Sequence, residues 1–388
     1  MIFMQKWIWQ LAIVMIAGIF LFAAFDAISA GANKEGKTGA EPSQYGLPPA
    51  SAGAGGKDSG MDEKESEAFN PKSLMYQKAP EFESYAGVIN DQNGDDFLSS
   101  SELKGKVVLV DIWTYSCINC IRTLPYIQAW HEKYADSGLV IVGVHSPEFE
   151  FEKKRENIED AAKRNNLTYP TIIDNDRKIW NAFKNSYWPR KYLIDADGYI
   201  RYDHIGEGGY DETERQIQSL LKELNPDIKS EMANVSAEGV DFSQIQTPEL
   251  YFGSSFRRVP LGNQKAPILE SIAQNYTLPG LLAPNIIYLE GEWKNNGETM
   301  ELASNEGAIE INYGSQSVHL VAESARGSTA SAFLGEELHI GPEANGQGEI
   351  AIGGSRLYRI VKTDEYARNS LKIKIKGAGF KAYAFTFG

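Results

Sequence analysis

The chain has 388 residues, a formal net charge of −14 and two cysteines, Cys117 and Cys120. That acidity would repel a phosphate backbone, so nucleic-acid binding is excluded as a working expectation. The length suggests two or three domains, and the lack of any third thiol suits an oxidising compartment, where stray thiols mispair.

Residues 1–30 read as a signal anchor. Trp7 to Phe25 is an apolar run broken only by Gln10, about 28 Å long as a helix and close to the hydrocarbon thickness of a bilayer. Lys6 before it and Asp26 after it bias the N-terminus inward, and Trp7 and Trp9 suit the interface. Ala27-Ile-Ser-Ala30 offers small residues for processing, yet the run exceeds a usual signal-peptide core, so an uncleaved transmembrane helix through residues 7–25 is expected. The expected location is the cell membrane, single-pass, with the bulk of the chain on the extracytoplasmic (periplasmic or external) face. Residues 31–78, rich in Gly, Ala, Ser and Pro and then in charge at 62–67, cannot bury enough apolar surface to order themselves and read as a flexible linker.

From 79 to 225 strand and helix alternate. Lys106 to Trp113 is a short apolar run of the buried-strand kind, and Ile121, Leu124, Ile127 and Trp130 begin a helical pattern. Cys117-Ile-Asn-Cys120 therefore sits at a strand-to-helix junction, with Cys117 in the first turn. Unpaired backbone N–H groups and the helix dipole favour a negative charge there. A thiolate is the reactive form, so Cys117 is the expected attacking sulfur and Cys120, one turn on, the resolving one. Three other uses of the pair compete. A structural bridge closing so small a loop would contribute only about 2 kcal/mol. Zinc needs about four ligands, and His131 is too far along for the usual spacing. A c-type haem needs His directly after the second cysteine, where Ile121 stands. No metal site is expected.

Downstream, Leu139 to Val144 reads as a second buried strand, Glu152 to Asn166 as an amphipathic helix, Thr171 to Ile173 as a strand and Arg177 to Lys184 as a short helix. Lys191 to Ile194 and Tyr199 to Tyr202 flank the turn Asp195-Ala-Asp-Gly198, and Glu212 to Leu224 closes the unit as a helix. This order implies a mixed sheet covered by helices. After a linker at 226–246, residues 247–388 change character. Leu371 to Lys376, Ile309 to Tyr313 and Lys381 to Phe387 alternate strictly, which predicts an all-β sandwich with one face of each strand buried. The stripe of Tyr383, Phe385 and Phe387 is expected in its core.

The redox segment resembles the thioredoxin superfamily, in the membrane-associated branch of TlpA-like and ResA-like proteins. Trp113 lies four residues before Cys117, and Pro125 falls where thioredoxins carry a helix-kinking proline. Tyr187-Trp-Pro189 resembles the family's cis-proline loop, which implies that Pro189 faces the disulfide and that the Trp188 backbone pairs with a substrate chain. Trp113 to Tyr126, Gly143 to Glu152, Thr247 to Gly253, Arg356 to Val361 and Ala382 to Gly388 resemble the exported portion of DipZ-type thiol:disulfide interchange proteins. In those, a thioredoxin-like domain precedes a jelly-roll domain similar to carbohydrate-binding modules. They also carry a multi-helix electron-transporting membrane domain, replaced here by one hydrophobic segment. The resemblance therefore implies a separate membrane electron donor of the CcdA/DsbD type. It also leaves two uses for Glu148: proton transfer near the disulfide, with Trp113 in support, or a helix-start acid favoured by the macrodipole.

The expected function is that of a membrane-tethered extracytoplasmic thiol-disulfide oxidoreductase acting on protein thiols and disulfides, with no cofactor beyond the redox-active Cys117–Cys120 disulfide. Two alternatives stand beside it. One is a thiol peroxidase, since Thr114 before Cys117 echoes peroxiredoxins, although Val110 stands where their proline belongs. The other is a non-enzymatic cell-surface binding protein built on the β-domain.

Overall fold

Val107–Trp113 is buried at every position, as a central strand flanked on both faces must be. It is β2 of a six-stranded sheet whose other members are β1 (Val88–Ile89), β3 (Leu139–His145), β4 (Thr171–Ile173), β5 (Arg190–Ile194) and β6 (Ile200–Ile205). The strand order is β1-β4-β3-β2-β5-β6, with β2, β3 and β4 parallel and β1, β5 and β6 running antiparallel to their neighbours. The chain is seen here in a computed structural model that describes residues 70–91, 94–229, 231–237 and 239–388. The expected membrane helix at 7–25 and most of the 31–78 linker lie outside the described residues. Among the described residues, no helix is long and apolar enough to cross a membrane.

Four helices cover the sheet: α1 (Ile118–Tyr134), α2 (Arg155–Arg164), α3 (Lys178–Ala182) and α4 (Tyr210–Leu224). Alternation along β2 sorts the two faces. Val107, Leu109 and Trp113 share a core with α1, α2 and α4, whereas Val108, Val110 and Ile112 pack with Ile179 and Trp180 of α3. The helix expected from Glu152 starts later, at Arg155, because Glu152 is held in a separate 3-10 turn, Glu150–Lys153. The redox unit also begins before residue 79. The 3-10 turn Pro71–Leu74 is tied down by Lys72, whose ammonium lies 2.8 Å from Asp195 and 2.7 Å from Asp197 in the β5–β6 turn.

The C-terminal part is all β: β7 (Leu250–Tyr251), β8 (Ala273–Tyr276), β9 (Tyr288–Asn295), β10 (Met300–Leu302), β11 (Glu306–Glu323), β12 (Ser328–Leu334), β13 (Glu337–His339), β14 (Glu349–Ile352), β15 (Arg356–Lys376) and β16 (Lys381–Phe387). Hydrogen bonding joins them into one sheet rather than the two expected of a sandwich. β9 pairs with both β10 and β11, and β16 with β10 and β11, so the sheet closes on itself. The reason lies in β11 and β15, which are far longer than their alternating segments suggested. Register shifts at Ser315/Ser317 and Val318/His319 bend the pair, letting single strands serve both sides of one core.

The described residues, from 70 onward, make one compact unit. Phe149 and Phe151 project from the redox domain against Tyr383, with ring centroids 5.2 and 4.6 Å apart, and Phe149 also meets Phe256 at 5.4 Å. Val321, Leu357, Tyr383 and Ala384 of the β-domain belong to the same core cluster as the active-site helix α1. Of the aromatic stripe, Phe385 and Phe387 fill the β-domain's own core while Tyr383 serves the shared one. Phe151→Ala should therefore cost about 3–5 kcal/mol and shift one cooperative urea transition common to both domains. Separate transitions, with the β-domain's midpoint unmoved, would show that the shared core does not couple them.

Candidate active site

Cys117 is the N-cap of α1, with φ −80° and ψ 117°. Its sulfur replaces the oxygen that usually caps a helix, and the backbone N–H of Cys120 donates to Cys117 Sγ at 3.4 Å. Both thiols are free; Cys117 is partly exposed and Cys120 fully buried. Burial pushes the Cys120 thiol well up, and the nearby Cys117 sulfur adds to it. The two sulfurs are thus differentiated by position: one capped and reachable, the other dry.

Near Cys120 lie two buried ionisable side chains that no sequence motif marks, Asp111 and Lys191. Asp111 and Lys191 face each other across β2 and β5 in the antiparallel register. Asp111 shares its side of β2 with Leu109 and Trp113, the side packed against Cys120 and Leu124. Burial pushes its carboxyl up to about 6 against the opposing pull of Lys191, and neither oxygen has a hydrogen-bond partner. Lys191, itself depressed by burial, donates to the Gly206 carbonyl at 3.0 Å. The signal was an aspartate in the middle of a strand otherwise made of apolar residues.

The Trp188–Pro189 peptide is cis, and Cys117 Sγ lies 4.0 Å from the Trp188 carbonyl oxygen. This loop is braced from behind. Trp188 Nε1 donates to the Ser146 carbonyl at 2.9 Å, and the indole packs on Trp180 at 4.2 Å. The Arg177 guanidinium sits 4.9 Å from the Trp188 ring while donating to the Pro147 carbonyl at 2.8 Å through Nε.

Segment 147–152 divides its labour by alternation. Phe149 and Phe151 dock the β-domain, Glu148 and Glu152 turn to the redox centre, and Glu150 stays exposed, paired with Lys153. Glu152 is fully buried and accepts from Ser116 Oγ at 2.6 Å and Ser116 N at 3.3 Å, and from the backbone N–H groups of Glu148 at 2.6 Å and Phe149 at 3.0 Å. It therefore pins the residue before Cys117 to the loop carrying Glu148, a role with no motif to reveal it. Glu148 accepts from the Tyr251 hydroxyl of β7 at 2.6 Å, and burial, with Glu249 adding, pushes its carboxyl up to about 8. Trp113 does not reach the cleft. It is buried edge-on to His145, 5.2 Å between centroids, under the Thr114–Ser116 turn. His145, at the end of β3, is kept neutral by burial, its value pushed down to about 3.

These parts meet in a cleft of about 610 Å3. Cys117, Trp188 and Glu148 line one side, and Glu249, Tyr251 and Phe387 of the β-domain line the other. Among the described residues, no three His, Cys, Asp or Glu side chains are placed to hold a metal ion. An accessible capped sulfur, a dry second sulfur and a buried carboxyl beside it can carry out thiol-disulfide exchange.

Comparison with known proteins agrees with this chemistry. Residues 75–203 match the AhpC/TSA family, and residues 247–388 match a family described as thioredoxin like C-terminal domain. Protein DipZ of Mycobacterium tuberculosis is 33% identical over 80% of this chain, and the chain spans 43% of that relative's length. Thiol-disulfide oxidoreductase YkuV of Bacillus subtilis is 30% identical over 30% of this chain and 79% of its own. Thiol-disulfide oxidoreductase ResA of Bacillus cereus is 28% identical over 41% of this chain and 83% of its own. With the mixed sheet, the helix-capping cysteine and these relatives in place, the chain belongs to the thioredoxin-like thiol-disulfide oxidoreductases.

Proposed function

We propose that the protein is a membrane-tethered, extracytoplasmic oxidoreductase that reduces disulfides of protein clients through Cys117 and Cys120. The observation that carries this reading is the contrast between the two sulfurs: Cys117 caps α1 at the cleft, and Cys120 is buried behind it. The Cys117 thiolate attacks a client disulfide, breaking it and forming a mixed disulfide, and the first client sulfur leaves and takes up a proton. Asp111 then accepts the Cys120 proton. The freed sulfur attacks Cys117, closes the Cys117–Cys120 disulfide and releases the second client sulfur. The Trp188 carbonyl, 4.0 Å from Cys117 Sγ, offers an acceptor for a client backbone N–H lying alongside. Two electrons leave the dithiol for the client. A separate membrane donor of the CcdA/DsbD type restores them, and the anchor at 7–25 keeps this head near that donor.

One experiment tests location and activity together. Carbonate-washed membranes bearing the full chain should reduce the disulfides of insulin added to the extracytoplasmic face, and should consume hydrogen peroxide no faster than a Cys117→Ser control. A soluble mature chain would overturn the tether. Thiol-dependent peroxide consumption without insulin reduction would favour a peroxidase.

A further inference from the structure

Tyr251 Oη lies 2.6 Å from Glu148 Oε1 and 2.8 Å from Glu249 Oε2. A phenol has one proton to donate and can otherwise only accept. If both carboxyls were ionised, one of these two short contacts would set oxygen lone pairs against each other. The arrangement is satisfied when one carboxyl is protonated and donates to the phenol oxygen, which in turn donates to the other carboxylate. The three groups therefore hold one proton more than independent glutamates would at neutral pH.

Their place gives that proton a use. Glu148 comes from the redox domain, Glu249 and Tyr251 come from the β-domain, and all three line the cleft that Cys117 opens onto. We propose that Glu249 and Tyr251 complete the redox centre, sharing with Glu148 a proton that is delivered to the first departing client sulfur. The proposal rests on Cys117 being the attacking thiolate.

The protons then balance over one turnover. Cys117 starts as a thiolate, Cys120 as a thiol and the carboxyl pair with one proton. The client disulfide breaks, a Cys117–client bond forms, and the first client sulfur takes the pair's proton. The Cys120 proton passes by way of Asp111 to the second client sulfur when the Cys117–Cys120 bond closes. Two client thiols leave with two protons and two electrons. The pair and Cys120 are reprotonated when the donor reduces the disulfide.

The surroundings fit a stored proton. Burial raises the Glu148 carboxyl and the charge of Glu249 adds to it; Glu249, although exposed on one side, is raised by desolvation. The other charged groups facing them are Glu152 on the same loop, Arg177 ahead of α3, and Arg258 beside Glu249. Arg177 and Arg258 pull toward ionisation, so the balance rests on burial and on the carboxyl pair itself.

The test compares two reactions of Cys117 in the full chain between pH 5.5 and 9.5. Cleavage of the uncharged bis(2-hydroxyethyl) disulfide needs both the thiolate and a proton for the leaving sulfur, whereas alkylation by iodoacetamide needs the thiolate alone. The ratio of the two rates should fall as pH rises through about 8 in the wild type. Gln at 249 can satisfy the phenol without a shared proton, so Glu249→Gln should move that fall down by about one pH unit or more. Tyr251→Phe keeps the ring that stacks on Phe256 and removes the link. It should lower the ratio at pH 7 about tenfold, and it serves as the readout if Glu249→Gln does not fold. Wild-type ratios and inflections in the folded variants would overturn the proposal. Cleavage surviving Cys117→Ser would instead sink the assignment of Cys117, so the two failures are distinguishable.

Discussion

Cys117→Ser should lower disulfide reduction to the uncatalysed background, and Cys120→Ser should leave the first attack intact while mixed disulfides with clients accumulate. The asymmetry follows from the helix start. Only Cys117 receives the Cys120 N–H at 3.4 Å and opens onto the cleft, while Cys120 is sealed beneath it. Without Cys120 the captured client leaves only when an outside thiol attacks. Non-reducing electrophoresis of the Cys120→Ser protein with oxidised insulin should show the adduct, and dithiothreitol should dissolve it. The double variant should show none. Adducts forming equally through either single variant would mean that position does not separate the two roles.

Asp111→Asn should slow the second half of the reaction by about a hundredfold while leaving capture of the client nearly unchanged. Cys120 is fully buried, and that burial holds its thiol well above its ordinary range. Asp111 is the acceptor near it, pushed up to about 6 by burial. The sign with pH follows directly. Below about 6 the carboxyl is protonated and cannot accept, so resolution in the wild type should fall as the solution is acidified through that value. The Asn variant should be slow throughout and lack this acid limb. Rapid mixing followed by acid quench separates the mixed disulfide from the closed Cys117–Cys120 form. A variant that closes at the wild-type rate would remove Asp111 from the path.

Much of the redox domain was legible because its cues are local. An apolar run before Cys117, helical spacing after it and the Asp195–Gly198 turn each act over a few residues, and the strands and helices stand where these cues placed them within a turn or so. The helix at Arg155 began late because Glu152 spends its carboxylate on Ser116 and on two backbone N–H groups, a partnership made across space. β11 and β15 were read only where alternation was clean. Around Ser315–Ser317 and Thr363–Arg368 polar residues interrupt the pattern, and Gln316 and residues 363–366 drop out of the β11–β15 register, but pairing resumes on both sides and makes each a single long strand.

The site was half visible for the same reason. Cys117, Cys120, Trp188 and Pro189 are neighbours in short motifs, but Asp111 and Lys191 become a pair only through the register of β2 and β5. Glu249 and Tyr251 lie about a hundred residues from Glu148, and nothing in their own surroundings marks them. Alternation in residues 247–388 marks a β-domain but says nothing of what it touches. Its contribution of Tyr383 to the head's core and of Tyr251 to the cleft makes it part of the same working unit.

The most direct test of the central assignment is the alkylation rate of each cysteine in the reduced full-length protein. A limiting dose of iodoacetamide at pH 7, followed by peptide mass spectrometry, reads both sites in one sample. Cys117 should be modified about tenfold faster than Cys120 or more, because it is the capped and accessible sulfur. Faster labelling of Cys120 would contradict the account and reverse the roles of the two thiols.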